Sequence, residues 1–136
     1  MHRLTSHQLA TTAAALFATS SGSNVTLSLG NIGGALTLTA ANNALLGTVS
    51  AATGVAITAG GTITGTSIAT TGASAPLSLT APGGIAATNI LSTGTTNLAA
   101  VNGAIASNNL QSTGLISATA RTIALRGSGP LAFSTL

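Results

Sequence analysis

Gly54-Val55-Ala56-Ile57-Thr58-Ala59-Gly60-Gly61-Thr62-Ile63 decides how the rest of the chain is read. Val55 and Ile57 alternate with Ala56 and Thr58, the period of two that marks a strand with one buried face. The Gly60-Gly61 pair that follows supplies the backbone freedom of a sharp corner. The same apolar-x-apolar-polar quartet stands at Leu36-Thr37-Leu38-Thr39 and Leu77-Ser78-Leu79-Thr80, with weaker copies at Leu98-Ala99-Ala100-Val101 and Ile123-Ala124-Leu125-Arg126. The five starts are separated by 19, 22, 21 and 25 residues. Each quartet is followed within a few residues by a turn signal: Asn42-Asn43, Gly60-Gly61, Pro82-Gly83-Gly84, Asn102-Gly103 and Gly127-Ser128-Gly129-Pro130. Self-similarity at such a period is the signature of a solenoid.

Two further apolar positions recur in each unit. The first is occupied by Ala44, Ile63, Ile85, Ile105 and Leu131, the second by Val49, Ile68, Ile90, Leu110 and Leu136. Each unit therefore supplies three short strands. The expected fold class is all-β: a right-handed parallel β-helix, a three-sided solenoid of about five coils of 19–25 residues. Consecutive coils of such a fold pair in parallel about 4.8 Å apart, with inward side chains stacked in apolar columns. Outward positions form ladders of their own. Thr39, Thr58 and Thr80 make one that runs on to Val101 and Arg126, beside a column of Thr37, Ala56, Ser78, Ala99 and Ala124. Thr48, Ser67, Asn89, Asn109 and Thr135 make another. Stacked hydroxyls and amides are expected to hydrogen-bond along these ladders. The long last interval is assigned to an insertion from Gln111 to Thr122, carrying Leu115 and Ile116, as a lateral loop or added strand.

Two segments are expected: residues 1–22 as an N-terminal cap, signal remnant or tail, and residues 23–136 as the repeat domain. Val25-Thr26-Leu27-Ser28-Leu29 reads as the closing strand of an incomplete preceding coil. In the first segment Ser6 is placed to cap a short helix on which Leu9, Ala13, Leu16 and Phe17 fall at helical spacing. His2 and Arg3 ahead of Leu9 to Ala18 also fit a poor signal peptide, and a disordered tail is the third reading. Leu136 occupies a core column with no cap after it, so the chain reads as a fragment or an isolated block of a longer protein.

Composition removes most chemistry. There is no Asp, Glu or Cys among 136 residues. General acid/base catalysis, glycosidase carboxylate pairs and Ser-His-Asp activation all need a carboxylate, and hard-metal sites need several. Without Cys, thiolate nucleophiles, zinc-thiolate sites and disulfides go too. The chain is accordingly expected not to be an enzyme, with no catalytic, cofactor-binding or metal-binding residues and no cofactor. A pI near 12.0 reflects only that nothing acidic opposes Arg3, Arg121 and Arg126. Nucleic-acid binding, which wants a dense basic face with aromatic platforms, is not expected. Nor is membrane insertion: mean hydropathy is +0.61, but every apolar run is broken by Thr, Ser, Asn or Gly before reaching the ~20 residues of a spanning helix.

The remaining candidates have bland readings. His2 and His7 lack a third ligand. Arg126-Gly127-Ser128 lacks the acidic residue that would complete a cell-attachment motif. Asn24-Val25-Thr26 fits the N-glycosylation pattern, relevant only in a eukaryotic secretory pathway. Gly60-Gly61-Thr62-Ile63-Thr64-Gly65 has no Lys and no following helix, so it is a corner and a strand rather than a phosphate loop.

The stretches Gly-Gly-Ala-Leu-Thr-Leu-Thr-Ala at 33–40, Ala-Asn-Asn-Ala-Leu-Leu-Gly at 41–47 and Gly-Val-Ala-Ile-Thr-Ala-Gly-Gly-Thr-Ile at 54–63 resemble the repeats of filamentous-haemagglutinin-type adhesins, the exoproteins of two-partner secretion. Autotransporter passenger domains share the pattern. The resemblance spans roughly residues 23–136, and the Asn-Pro-Asn-type motifs of the family's secretion domain are not in the chain. It implies a rod on the surface of, or secreted from, a Gram-negative bacterium, exported through an outer-membrane β-barrel transporter as part of a longer parent protein, with an unknown host or surface receptor. The expected function is a structural rod segment that mediates or supports attachment. The alternatives are a ligand-binding β-solenoid, for ice or carbohydrate, or a non-functional fragment of a longer adhesin. Ice-binding solenoids resemble the chain in their outward Thr ranks, but with Val101 and Arg126 in the column no face here is Thr throughout.

Overall fold

The computed structural model describes residues 7–8, 16–20, 22, 24–128 and 131–135. They form twelve strands: β1 (His7–Gln8), β2 (Leu16–Ser20), β3 (Val25–Ile32), β4 (Ala35–Ala40), β5 (Ala44–Ala51), β6 (Gly54–Ala59), β7 (Thr62–Thr70), β8 (Leu77–Thr80), β9 (Gly84–Ser92), β10 (Thr96–Ser112), β11 (Ile116–Ser128) and β12 (Leu131–Thr135). Every pairing between them is parallel. One stack runs β2, β4, β6, β8 and the first part of β10; the other runs β1, β3, β5, β7, β9 and the second part of β10. β11 continues both stacks, and β12 pairs with its first part. The protein is a parallel β-solenoid.

Breaks in the inward-outward alternation divide each coil into three sides. In the coil that begins at Leu36 the buried positions are Leu36, Leu38 and Ala40, then Ala44 and Leu46, then Val49 and Ala51. Alternation within a strand would bury Thr48, but it is exposed, so the chain turns at Gly47-Thr48 inside β5. A Cβ at Gly47 would lie 1.9 Å from the Ser28 carbonyl oxygen, a contact only glycine avoids. The same parity break recurs at Thr66-Ser67 of β7 and Asn108-Asn109 of β10.

The inward columns are narrow. On the first side they are Leu36, Val55, Leu77, Thr96 and Ile116, then Leu38, Ile57, Leu79, Leu98 and Ala118, all buried. At the next inward position the five coils from β4 to β11 have alanine, Ala40, Ala59, Ala81, Ala100 and Ala120, buried where the chain leaves the first side, and β2 and β12 place Ser20 and Thr135 in line with them. The second side carries Val25, Ala44, Ile63, Ile85, Ile105 and Ile123, and the third Val49, Ile68, Ile90 and Leu110.

This register confirms the first three coil starts and corrects the last two. Leu98 sits over Leu79, and the residue over Leu77 is Thr96. Ile123 belongs to the second side, over Ile105, and the fifth coil starts at Ile116. The starts are therefore 19, 22, 19 and 20 residues apart, and no insertion separates Gln111 from Thr122. Gln111 and Ser112 pair with Leu91 and Ser92, and Ile116–Ala120 pairs with Thr96–Ala100. The fifth corner is a single residue, Arg121, where the fourth spends Val101, Asn102 and Gly103. Leu131 lies over Ile116 rather than in the column of Ile105, and Thr135 over Ala120 rather than beside Asn109. Gly127 pairs with Leu110 on the third side and does not form the first-side corner. Gly129, Pro130 and Leu136 lie outside the described residues.

No helix occurs among the described residues. Leu16 and Phe17, read above as part of a helical cap, lie in β2, which pairs in parallel with β4. The reason is the period: Leu16-Phe17-Ala18-Thr19-Ser20 matches Leu36–Ala40 position for position, and pairing with a preformed strand outweighs a weak local helix propensity. Ser6, Leu9 and Ala13 lie outside the described residues.

The corrected register has a direct chemical readout. Thr80 and Ala99 are partners, and adjacent parallel strands bring paired Cα atoms to about 4.8 Å, inside the disulfide range. A Thr80→Cys/Ala99→Cys double variant is expected to form an intramolecular disulfide on mild oxidation, seen by peptide mapping. Thr80→Cys/Val101→Cys, the pairing that the sequence pattern suggests, should remain reduced.

Candidate functional site

Outward positions of the first side form two full columns. By register the first is Thr19, Thr39, Thr58, Thr80, Ala99 and Thr119, and the second is Phe17, Thr37, Ala56, Ser78, Asn97 and Ser117. The ladder of Thr39, Thr58 and Thr80 thus continues to Ala99 and Thr119, not to Val101 and Arg126, and its neighbour to Asn97 and Ser117, not to Ala99 and Ala124. Among the described residues the hydroxyls of Thr39, Thr58 and Thr80 make no hydrogen bond within the chain, although all three are exposed. Spacing explains this departure from the expected hydroxyl ladder. Like rotamers on adjacent strands are about 4.8 Å apart, well beyond the ~2.8 Å of an O–H···O bond.

Longer amides do bridge the coils. On the third side Thr48, Ser67, Asn89 and Asn109 are in register, as the sequence pattern indicates. There Asn109 Nδ2 donates to Asn89 Oδ1 at 3.3 Å, and Gln111 Nε2 donates to Asn109 Oδ1 at 3.2 Å. At the corner between the first and second sides, Asn43 Oδ1 accepts from the backbone N–H of Thr62 at 2.9 Å and from its hydroxyl at 3.0 Å, while Asn43 N–H donates to Asn24 Oδ1 at 3.1 Å. Asn24, the candidate glycosylation residue, is exposed but uses its amide oxygen in this corner ladder.

The interior holds one polar seam that the sequence reading missed. Thr70, Ser92 and Ser112 are buried at inward positions of the third side, and Thr96 is buried on the first side beside them. Thr70 Oγ1 donates to the Ala75 carbonyl at 2.9 Å and accepts from Thr93 N–H at 3.0 Å. Ser92 Oγ donates toward the same Ala75 carbonyl at 3.3 Å and the Thr95 carbonyl at 3.2 Å. Thr96 Oγ1 donates to Ser112 Oγ at 3.1 Å, which donates to the Gly94 carbonyl at 2.7 Å. Thr93 Oγ1 donates to the Gly72 carbonyl, and Thr113 Oγ1 to the Thr93 carbonyl. The bonds to Ala75 and Gly72 hold the loop between β7 and β8, where Ser74 takes a φ of 53°. No described buried side-chain polar atom lacks a partner. A signal existed: these hydroxyls stand two residues after Ile68, Ile90 and Leu110, at the parity that faces inward.

The second side is grooved. Small residues leave an open depression of about 310 Å³ lined by the outward Thr64, Ala86, Thr88, Ala106 and Asn108 and by Gly65, Ala87 and Ser107 of the inward column beneath them. A second depression, about 300 Å³, overlies the hydroxyl seam at Thr70, Ser92, Thr93 and Ser112. Both offer only neutral donors and acceptors, which bind by hydrogen bonding but supply no general acid or base at neutral pH.

Of the other candidates, His7 lies in β1, paired with Thr26, and His2 is outside the described residues. Among the described residues no three His, Cys, Asp or Glu gather as metal ligands. Arg126 is exposed at the end of the second side, with Gly127 and Ser128 in the same strand. Gly60 and Gly61 form the corner foreseen: a Cβ at Gly60 would lie 2.1 Å from the Ala41 carbonyl oxygen.

Thr70→Val keeps the shape of the seam but removes the acceptor for Thr93 N–H. Leaving one buried donor unpaired costs about 1–3 kcal/mol. The expected outcome is a lower urea midpoint and faster amide exchange at Thr93, whereas Thr66→Val, exposed on the corner of β7, leaves both unchanged. Compared with known proteins, the chain matches no protein-family model, and no curated protein or solved structure is similar to it.

Proposed function

We propose that the chain is a segment of the shaft of a secreted bacterial surface adhesin of the haemagglutinin type, a non-catalytic rod that supports attachment. The observation that carries this reading is the unbroken parallel stacking of coils, in which each coil pairs only with the one before and the one after. Such a stack lengthens by one strand spacing per coil without any change to its cross-section, which is what a spacer requires. Neighbour-only contacts also suit a chain that folds progressively as it emerges from an outer-membrane transporter of a longer parent protein. Low charge and the absence of Cys impose no redox requirement on that route.

Two measurements test the reading. Duplicating one coil, residues 77–95, within the full chain should extend the maximum dimension in small-angle scattering by about 4.8 Å, at constant cross-section and unchanged far-ultraviolet dichroism. Loss of strand signal or a widened cross-section contradicts the modular rod. Antibodies against the chain should label intact producing cells or their medium, and brief protease treatment of intact cells should remove the cell-bound label. Label that appears only after lysis contradicts the surface location.

A further inference from the structure

The first side differs from the other two in the regularity of its outer surface, where Thr19, Thr39, Thr58 and Thr80 stand in register on successive strands. On the third side Asn89 and Asn109 bond to each other, and the outer surface of the second side is hollowed into a depression. Among the described residues the hydroxyls of Thr39, Thr58 and Thr80 make no hydrogen bond within the chain. Thr χ1 is stiff, and the strand backbone beneath is fixed by ladders on both edges. The result is a rigid Thr column with rungs about 4.8 Å apart along the axis, beside a second outward column, about 6.7 Å across, of Thr37, Ala56, Ser78, Asn97 and Ser117. The two columns carry no charge and no aromatic ring between Thr37 and Thr119.

A partner that matches this surface is neutral and repeats along the coil axis at the spacing of the strands. Polyanions need basic groups, and Arg121 stands only at the far corner. Sugar rings favour exposed aromatic faces to pack on, and the two columns have none between Thr37 and Thr119. A lipid surface is held by large apolar or basic anchors. A crystalline lattice of water fits: it is uncharged, its oxygen repeats fall in the range of these spacings, and it is matched by fixed hydroxyls interleaved with methyl groups. Ala99, the one gap in the Thr column, keeps the methyl and loses only the hydroxyl. We propose that the outer face of the first side, centred on Thr58, is an ice-binding surface. The proposal stands apart from the shaft reading, since it depends on one face and not on export or on a parent protein.

The full chain is examined in supercooled buffer for shaping of single ice crystals, for the gap between melting and freezing temperatures, and for inhibition of recrystallisation. Faceted crystals and a measurable gap are expected. Thr58→Arg and, separately, Thr80→Arg should abolish both, while Thr66→Arg, exposed on the corner of β7, should retain both; dichroism and thermal melts establish that each variant is folded. Rounded crystals without a gap from the folded wild-type chain overturn the proposal, as does wild-type activity in both folded face variants. Light scattering supplies the remaining outcome: a dimer that Thr58→Arg dissociates, with no effect of the wild type on ice, assigns the face to self-association instead.

Discussion

Parallel pairing of each coil on the next is the constraint from which the other features follow. Backbone ladders about 4.8 Å apart leave no room for a coil to change width, so side-chain volume must be conserved rung by rung. The run of alanine from Ala40 to Ala120 is one consequence, because the chain leaves the first side there and small side chains suit the close approach of adjacent backbones. Gly65 is another. It stands in line with Leu46, but a Cβ there would already be 3.3 Å from Ile68 Cδ1, so the coil trades volume between its second and third sides. Aromatic side chains, which bury 150–250 Å² each, are absent from β3 to β11, and the chain's two Phe fall in β2 and β12.

The same constraint accounts for what was legible in the sequence. Where inward aliphatic positions keep a regular spacing from coil to coil, the period of two exposes them: Leu36, Val55 and Leu77 are found directly, as are the columns through Ile63 and Ile68. The fourth coil is misread because its first inward residue is Thr96. A search for apolar rungs steps over a hydroxyl and settles two residues later on Leu98, which is inward as well. That slip preserves parity, so every side chain still faces the correct way, but it moves the coil along its neighbour by two residues. The fifth start is missed more widely because the shortened corner at Arg121 brings Ile123 and Leu125 into a quartet that mimics a first side.

Thr96 is also why the outward face was hard to read. Burial of its hydroxyl is compensated by Ser112, which is itself bonded to the Gly94 carbonyl, so a polar residue occupies a core column without an orphaned donor. Sequence pattern alone cannot separate a buried hydroxyl with a partner from an exposed one, since the residue type is the same and the partner lies about one coil away. Once Thr96 is placed inward, the alternation on either side is fixed. Asn97, Ala99, Ser117 and Thr119 then fall into the outward columns, which changes a surface that breaks at Val101 into one that continues.

A fixed interior therefore leaves the outer surface as the place where coils can differ. Its three sides have diverged in what they present: the third bonds amide to amide, the second recedes behind alanine and glycine, and the first keeps Thr in register, with hydroxyls that the coil spacing itself holds apart. That last property is geometric, so each further coil of the same type adds another rung of unpaired hydroxyls without disturbing those already present. Length and surface thus grow together. A shaft that spans distance and a face that engages a repeating lattice make the same demand on sequence, namely that register be kept from coil to coil, and the buried columns enforce it.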